Sequence, residues 1–172
     1  MEDIFDLVNE RDEVIGHAPR SEVHARGLLH RAVHIWIFNS KGECLFQMRS
    51  PRKDRFPNTW TSSVSGHVDH GETYLEAAQR EIREEVGLKK AVALEEVAYV
   101  KACSQTEQEF VRLYMLRHDG PFFAQPDEVA TLEWFTPTAI MERMKTSPVE
   151  FSPSIVYLWN LHGVQAMKLL DV

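Results

Sequence analysis

Apolar and polar positions repeat with two different periods along the chain, and the switches between them outline its elements. Phe5 to Val8 and Val14 to His17 flank the polar run Asn9-Glu10-Arg11-Asp12-Glu13, which predicts a short hairpin ahead of the main body. Ser21 to Arg26 reads as one or two helical turns stopped by Gly27. From His30 the pattern becomes strongly β. Val33, Ile35 and Ile37 alternate with His34, Trp36 and Phe38, and Asn39-Ser40-Lys41-Gly42 turns the chain into Cys44 to Met48. Both faces of the first strand are apolar, so it is expected at the centre of a sheet. Ser50 to Thr59 has prolines and no period and reads as a long surface loop, after which Trp60 to Val64 resumes a strand. Thr73 to Val86 has helical periodicity, with Leu75, Ala78, Ile82 and Val86 as the buried stripe and Gly87 as the left-handed stop. Further strands fit Val97 to Ser104, Phe110 to Arg117 and Leu132 to Phe135. Helices follow from about Pro137 to Lys145 and from Ser154 to Leu170, with Pro137 and Pro153 near their starts.

Strands interleaved with helices indicate an α/β layered fold, and the hairpins exclude a purely parallel sheet. No repeat or linker-like run interrupts the 172 residues, so residues 1–172 are expected to form one domain. Composition changes this picture little, because 44% hydrophobic and 26% charged residues are ordinary for a soluble globular protein. Cys44 and Cys103 both fall in apolar stretches that read as strands, which argues against a disulfide framework or a thiolate metal cluster and for a reducing compartment. Met1 to Arg11 lacks a basic segment followed by a long apolar run, and no stretch approaches a membrane span, so a cytoplasmic location without membrane association is expected. A formal net charge of -7 argues against a broad nucleic-acid-binding surface but leaves room for a local basic pocket. Excess carboxylate is also what a divalent-cation site leaves behind. The oligomeric state is open, a homodimer included.

The chemistry concentrates between Gly66 and Leu88. On a helix, Glu81, Glu84 and Glu85 project from one side within reach of each other. Their mutual repulsion is relieved by a divalent cation, since Mg²⁺ and Mn²⁺ prefer clustered oxygen ligands. Arg80 lies two turns beyond Glu72 and can pair with it or with Glu84, orienting the ligands without competing for the metal. Gly66 and Gly71 let the preceding loop pass close to the helix start. Three glutamates alone favour the reading of a solvated face. The extended spacing does not: a glycine, Glu72 six positions on, and then Arg80-Glu81-Ile82-Arg83-Glu84-Glu85-Val86-Gly87-Leu88 resemble the complete Nudix signature. The resemblance implies an α/β/α sandwich with a mixed β-sheet, a loop-helix-loop catalytic element and metal-dependent hydrolysis of a nucleoside diphosphate linked to another group. It implies Glu81, Glu84 and Glu85 as ligands of Mg²⁺ or Mn²⁺, with the Gly66 carbonyl as a further ligand. For the general base two carboxylates stay open, Glu81 and Glu128, the latter in a loop before Trp134.

Upstream, Leu7 to His17, Gly27-Leu28-Leu29-His30-Arg31-Ala32, Phe38-Asn39, Arg49-Ser50 and Phe56-Pro57-Asn58-Thr59-Trp60-Thr61 resemble the isopentenyl diphosphate isomerases, a Nudix-fold branch. Two departures stand out. The isomerase cysteine is matched here by Ser65, whose hydroxyl titrates far above a thiol, and this chain keeps every glutamate of the signature. The resemblance also places His24, His30, His67, Glu107 and Glu109 at an imidazole and carboxylate metal site that favours Mn²⁺ or Zn²⁺ over Mg²⁺, although with 8 histidines some coincidence is expected.

Arg49, Arg52, Lys53 and Arg55 concentrate cations in an acidic chain and suit a phosphate clamp. Among Trp36, Phe56 and Trp60, core packing is the expected duty of at least two, and stacking on substrate is open to the remaining one. Three functions follow: hydrolase of a small-molecule diphosphate, isomerase of an allylic diphosphate, and non-catalytic nucleotide or metal sensor.

Overall fold

The computed structural model describes residues 2–170. Two strands, β1 (Ile4–Val8) and β2 (Val14–Pro19), form an antiparallel hairpin, and the short helix α1 (Arg20–Arg26) follows. The main sheet has seven strands: β3 (His30–Phe38), β4 (Cys44–Arg49), β5 (Trp60–Thr61), β6 (Val64–His67), β7 (Glu95–Val100), β8 (Glu109–Arg117) and β9 (Val129–Phe135). Strand β3 sits at its middle. It runs parallel to β8 over its whole length and pairs antiparallel with β4 and β6, while β9 and β5 extend the sheet from β4 and β7 from β8. The sheet is therefore mixed, as the hairpins required.

Helices cover both faces. Val33, Ile35 and Ile37 of β3 pack with Val64 against Ala77, Ala78, Ile82 and Val86 of α2 (Tyr74–Val86). On the other face Trp36 and Phe38 meet α3 (Pro137–Thr146) and α4 (Pro153–Leu170) through Ile140, Met144, Ile155, Leu158 and Trp159. A strand apolar on both sides is thus sealed twice, and burying each such aliphatic side chain stabilises the fold by about 1.5–3 kcal/mol. No helix among the described residues is long and apolar enough to cross a membrane.

Helix α2 carries the glutamates, and its ends are firmly set. Thr73 and Glu76 form a reciprocal capping box at the start. At the other end Gly87 takes φ 73°, a left-handed conformation that side chains resist, and the N–H groups of Phe123 and Gln125 donate to the Val86 and Glu85 carbonyls. Two expectations are corrected here. Leu75 does not join the buried stripe but stays 51% exposed. Tyr74 makes the first-turn contact with the cluster instead, held by its hydroxyl donating to Asp12 of the hairpin. Cys103 does not lie in a strand: β7 ends at Val100, and Thr106 closes a tight turn by accepting the Cys103 N–H at 3.0 Å.

Candidate active site and metal centre

A cleft of about 680 Å³ opens where the β3–β6 ladder, the glutamate face of α2, the 50–56 loop and the 125–128 loop converge. The helix periodicity delivers Glu81 and Glu85 to its floor and Glu84 to its edge. The Glu81 side chain is 12% exposed and that of Glu84 56%, whereas Glu85 is 2% exposed as a whole residue. Glu85 accepts a 2.6 Å hydrogen bond from the Gln47 amide and a 3.0 Å bond from the Ser65 backbone N–H. Burial, with Glu85 close by, pushes the Glu81 carboxyl up to about 8, and burial likewise raises Glu85 to about 7. Two carboxylates forced together in a dry site invite a cation.

Arg80 fixes this group from the rim. Its guanidinium donates to both Glu72 oxygens at 2.9 Å, to Glu81 at 2.6 Å, to Glu84 at 3.2 Å and to the His67 carbonyl at 2.9 Å. The expected pairing with Glu72 and with Glu84 is therefore present at once. Gly66 passes so close that a Cβ there would lie 2.0 Å from a Glu81 oxygen, so any side chain would displace that carboxylate. Geometry and donor set together fit a hard divalent cation held by oxygens.

A second cluster reaches the same cleft through His24, His67 and Glu109. His24 of α1, His30 at the start of β3 and His67 at the end of β6 bring ligating nitrogens within 4.8 Å of one another. Strand register explains the meeting: His30 stands beside Glu109 in the β3–β8 pair, and His67 beside Ala32 in the β3–β6 pair. Nε2 of all three histidines is buried without a hydrogen-bond partner. Glu109 Oε1 stands 3.1 Å from His67 Nε2 and 3.5 Å from His30 Nε2, near enough to attract but not aligned for hydrogen bonds. Burial disfavours charge on His24, aided by His67 and His30, and lowers its pKa to about 4; burial also lowers that of His67. Burial would raise the Glu109 carboxyl, yet the adjoining His30 and His67 hold it well below the usual carboxylate range. Imidazoles whose buried nitrogens are orphaned, beside an ionised carboxylate, fit a transition-metal ion. Phe5 walls this cluster, stacking on His67 at 4.4 Å between ring centroids. The hairpin that carries Phe5 is latched to the loop before α2 through Asp6, which bonds His70 and the Gly71 N–H. Glu107 lines the cleft without joining the histidines, its carboxylate engaged by Arg55.

The cationic loop is mostly neutralised. Arg52 pairs with Asp127, Lys53 with Glu128 and Arg55 with Glu107. Arg49 differs. It lines the cleft, donates only to the Arg55 carbonyl, and has no carboxylate partner among the described residues. Glu128 thus lines the cleft but is tied to Lys53. Trp36 and Trp60 are core residues, and Phe56 lines the cleft. Sequence reasoning missed Gln47 and the Arg20–Asp54 pair at the cleft mouth. A polar residue inside the apolar strand Cys44–Arg49 is a signal that finds Gln47.

Comparison with known proteins agrees with this architecture. The NUDIX domain family matches residues 28–155. The chain is similar to a Nudix hydrolase of Deinococcus radiodurans, 38% identical over 81% of this chain and 82% of that one. It is also similar to the isopentenyl-diphosphate Delta-isomerase of an Enterobacter species, 33% identical over 87% and 85% of the two chains. Among solved structures, the crystal structure of DR0079 from Deinococcus radiodurans superposes with a TM-score of 0.77 at 34% identity, covering 98% of this chain and 97% of the other.

Proposed function

The chain belongs to the Nudix hydrolase family, and from that premise we propose that it hydrolyses a diphosphate linkage in a nucleoside diphosphate derivative or related small metabolite, using Mg²⁺ or Mn²⁺. The observation that carries this reading is the side-by-side burial of Glu81 and Glu85 on the floor of a cleft that also holds the unpaired cation Arg49. Glu81, Glu84, Glu85 and the Gly66 carbonyl would hold the metal, which supplies neutralisation of phosphoryl oxygens and acidification of water. Arg49 presents a planar fork of N–H donors to a phosphate, and the dry setting of its guanidinium strengthens that contact. Arg80 keeps the glutamates in place. For the general base we take Glu81, on the cleft floor beside Glu84 and Glu85, ahead of Glu128, which is tied to Lys53. Glu128 positions Lys53, and through it the 50–56 loop. His24, His30, His67 and Glu109 would hold a second ion, Mn²⁺ or Zn²⁺ by the softness of imidazole.

An isomerase reading draws on the second group of relatives, but it needs a titratable group for proton transfer at carbon. At the position where the isomerases carry a cysteine this chain has Ser65, whose hydroxyl titrates far above a thiol, and neither Cys44 nor Cys103 lines the cleft. A sensor reading expects lost signature glutamates, and all are present. The test is a screen of nucleoside di- and triphosphates, dinucleotides, nucleotide sugars, coenzyme A and isoprenoid diphosphates with Mg²⁺ or Mn²⁺, reading phosphate release and product mass. Hydrolysis of at least one diphosphate is expected; mass-neutral conversion of an isoprenoid diphosphate without phosphate release would replace this reading with the isomerase one.

A further inference from the structure

One buried histidine belongs to neither cluster. His34 lines the cleft at 4% exposure and stands opposite Ser65 in the β3–β6 ladder. Its Nδ1 lies 2.8 Å from the hydroxyl of Ser62, which also accepts the indole N–H of Trp36 at 3.0 Å. An indole nitrogen only donates, so the Ser62 hydroxyl keeps its own proton to place. Ser62 is fully buried, and Nδ1 of His34 is the acceptor it meets among the described residues. Nδ1 therefore accepts, and the imidazole proton resides on Nε2. That N–H has no partner among the described residues, although the side chain carrying it is more than nine-tenths buried.

The surroundings are hydroxylic. Ala32 and Trp36, the neighbours of His34 on the same face of β3, pack in the cluster shared with α4. The cleft on this side is lined by Thr61, Ser152 and Ser154. Ser152 donates to Thr61 at 3.0 Å and stands 3.3 Å from the Ser154 hydroxyl.

We propose that the His34 Nε2–H, fixed by the Trp36–Ser62 relay, is a specificity donor for an oxygen in the non-phosphate half of the substrate. The substrate class is then a diphosphate bearing a carbonyl or hydroxyl there, as a nucleoside or sugar does, and not a hydrocarbon chain. This rests on the diphosphate hydrolase reading above. An isoprenoid at this position would leave a buried donor unpaired, which weakens binding by roughly ten- to a hundredfold.

Equilibrium binding to the full chain, with Ca²⁺ as the cation, tests it with UDP, ADP, dimethylallyl diphosphate and inorganic pyrophosphate. UDP is expected to bind at least about tenfold more tightly than dimethylallyl diphosphate. His34→Leu should remove about that factor from UDP while leaving pyrophosphate within about twofold, and His34→Gln, which restores an amide donor, should recover most of it. A UDP advantage over ADP assigns the oxygen to the base carbonyl, and equal affinity assigns it to the sugar. Equal losses for UDP and pyrophosphate in His34→Leu, an unchanged UDP affinity, or tighter binding of dimethylallyl diphosphate would overturn the proposal while the hydrolase reading stands. If no diphosphate binds the unaltered protein, both fall together.

Discussion

The cleft brings together two clusters of ligating side chains that the chain builds in opposite ways. Glu81, Glu84 and Glu85 come from little more than one turn of one helix, so local periodicity alone puts their carboxylates on one side. His24, His30, His67 and Glu109 come from a helix and three strands, and meet only because β3 pairs with β6 on one edge and β8 on the other. The first cluster is crowded with like charge and bound into hydrogen bonds with Arg80, Gln47 and Ser65. The second holds imidazole rings with buried, unsatisfied nitrogens. On the proposed function, the difference predicts a division of labour in which the glutamates carry turnover and the histidines would hold a softer ion that turnover tolerates losing.

The sharpest break in that comparison is Glu85→Gln. It should lower metal-dependent turnover by about a thousandfold or more with an unchanged circular dichroism spectrum, because it removes a ligand charge from a water-excluded site. Retained activity would take the helix out of the mechanism. Next in size, Glu81→Gln should cost about 10²–10⁴ in kcat and flatten the acid limb of the pH–rate profile, as loss of a general base does. Glu128→Gln should cost less than about tenfold and act mainly on KM through the freed Lys53. The reverse ranking would move the base to the 125–128 loop.

These two sites also mark where sequence pattern is informative and where it stops. The helix, its left-handed stop and the pairing of Arg80 were legible because each depends on residues a few positions apart. Leu75 was misplaced because periodicity does not show that Tyr74 is drawn to Asp12, 62 positions away. The basic loop read as a uniform clamp. Its neutralisation by Asp127, Glu128 and Glu107, which lie 75, 75 and 52 positions from their partners, is decided by tertiary packing. The histidines were reachable only by resemblance, since no local rule sets which strands neighbour β3.

Arg49 sharpens the picture at intermediate size. Arg49→Ala should raise KM by about ten- to a hundredfold with a smaller change in kcat, the value of a charge-assisted hydrogen bond to a phosphate. Equal effects from Arg52→Ala would mean that the salt bridge to Asp127 opens in use. On the histidine side, His67→Ala should lose a bound Mn²⁺ or Zn²⁺ by elemental analysis, while Mg²⁺-supported hydrolysis falls by less than about tenfold. A collapse of hydrolysis as deep as that of Glu85→Gln would merge the two clusters into one catalytic centre.

The smallest effect separates the clusters by pH. Glu81 and Glu85 have folded pKa values of about 8 and about 7, raised from 4.5. Below pH 4.5 both are protonated whether the chain is folded or not, so they contribute nothing to pH dependence there. Between 4.5 and 8 the folded chain holds protons that the unfolded chain has released, and stability must fall as pH rises. His24 and His67, with lowered pKa values, act with the opposite sign, losing stability as pH falls below 6.5. The difference between unaltered protein and Glu85→Gln cancels the histidine share. With chelator present, the variant should gain on the order of 1–2 kcal/mol over the unaltered protein at pH 8 and nothing near pH 4, in denaturant titrations. Added Mg²⁺ should erase that gain, because the ion stabilises only the folded chain that retains the full set of carboxylates. A gain that is the same at both pH values would mean that Glu85 is ionised at no electrostatic penalty, and the argument that crowded charge prepares this helix for a cation would then lose its basis.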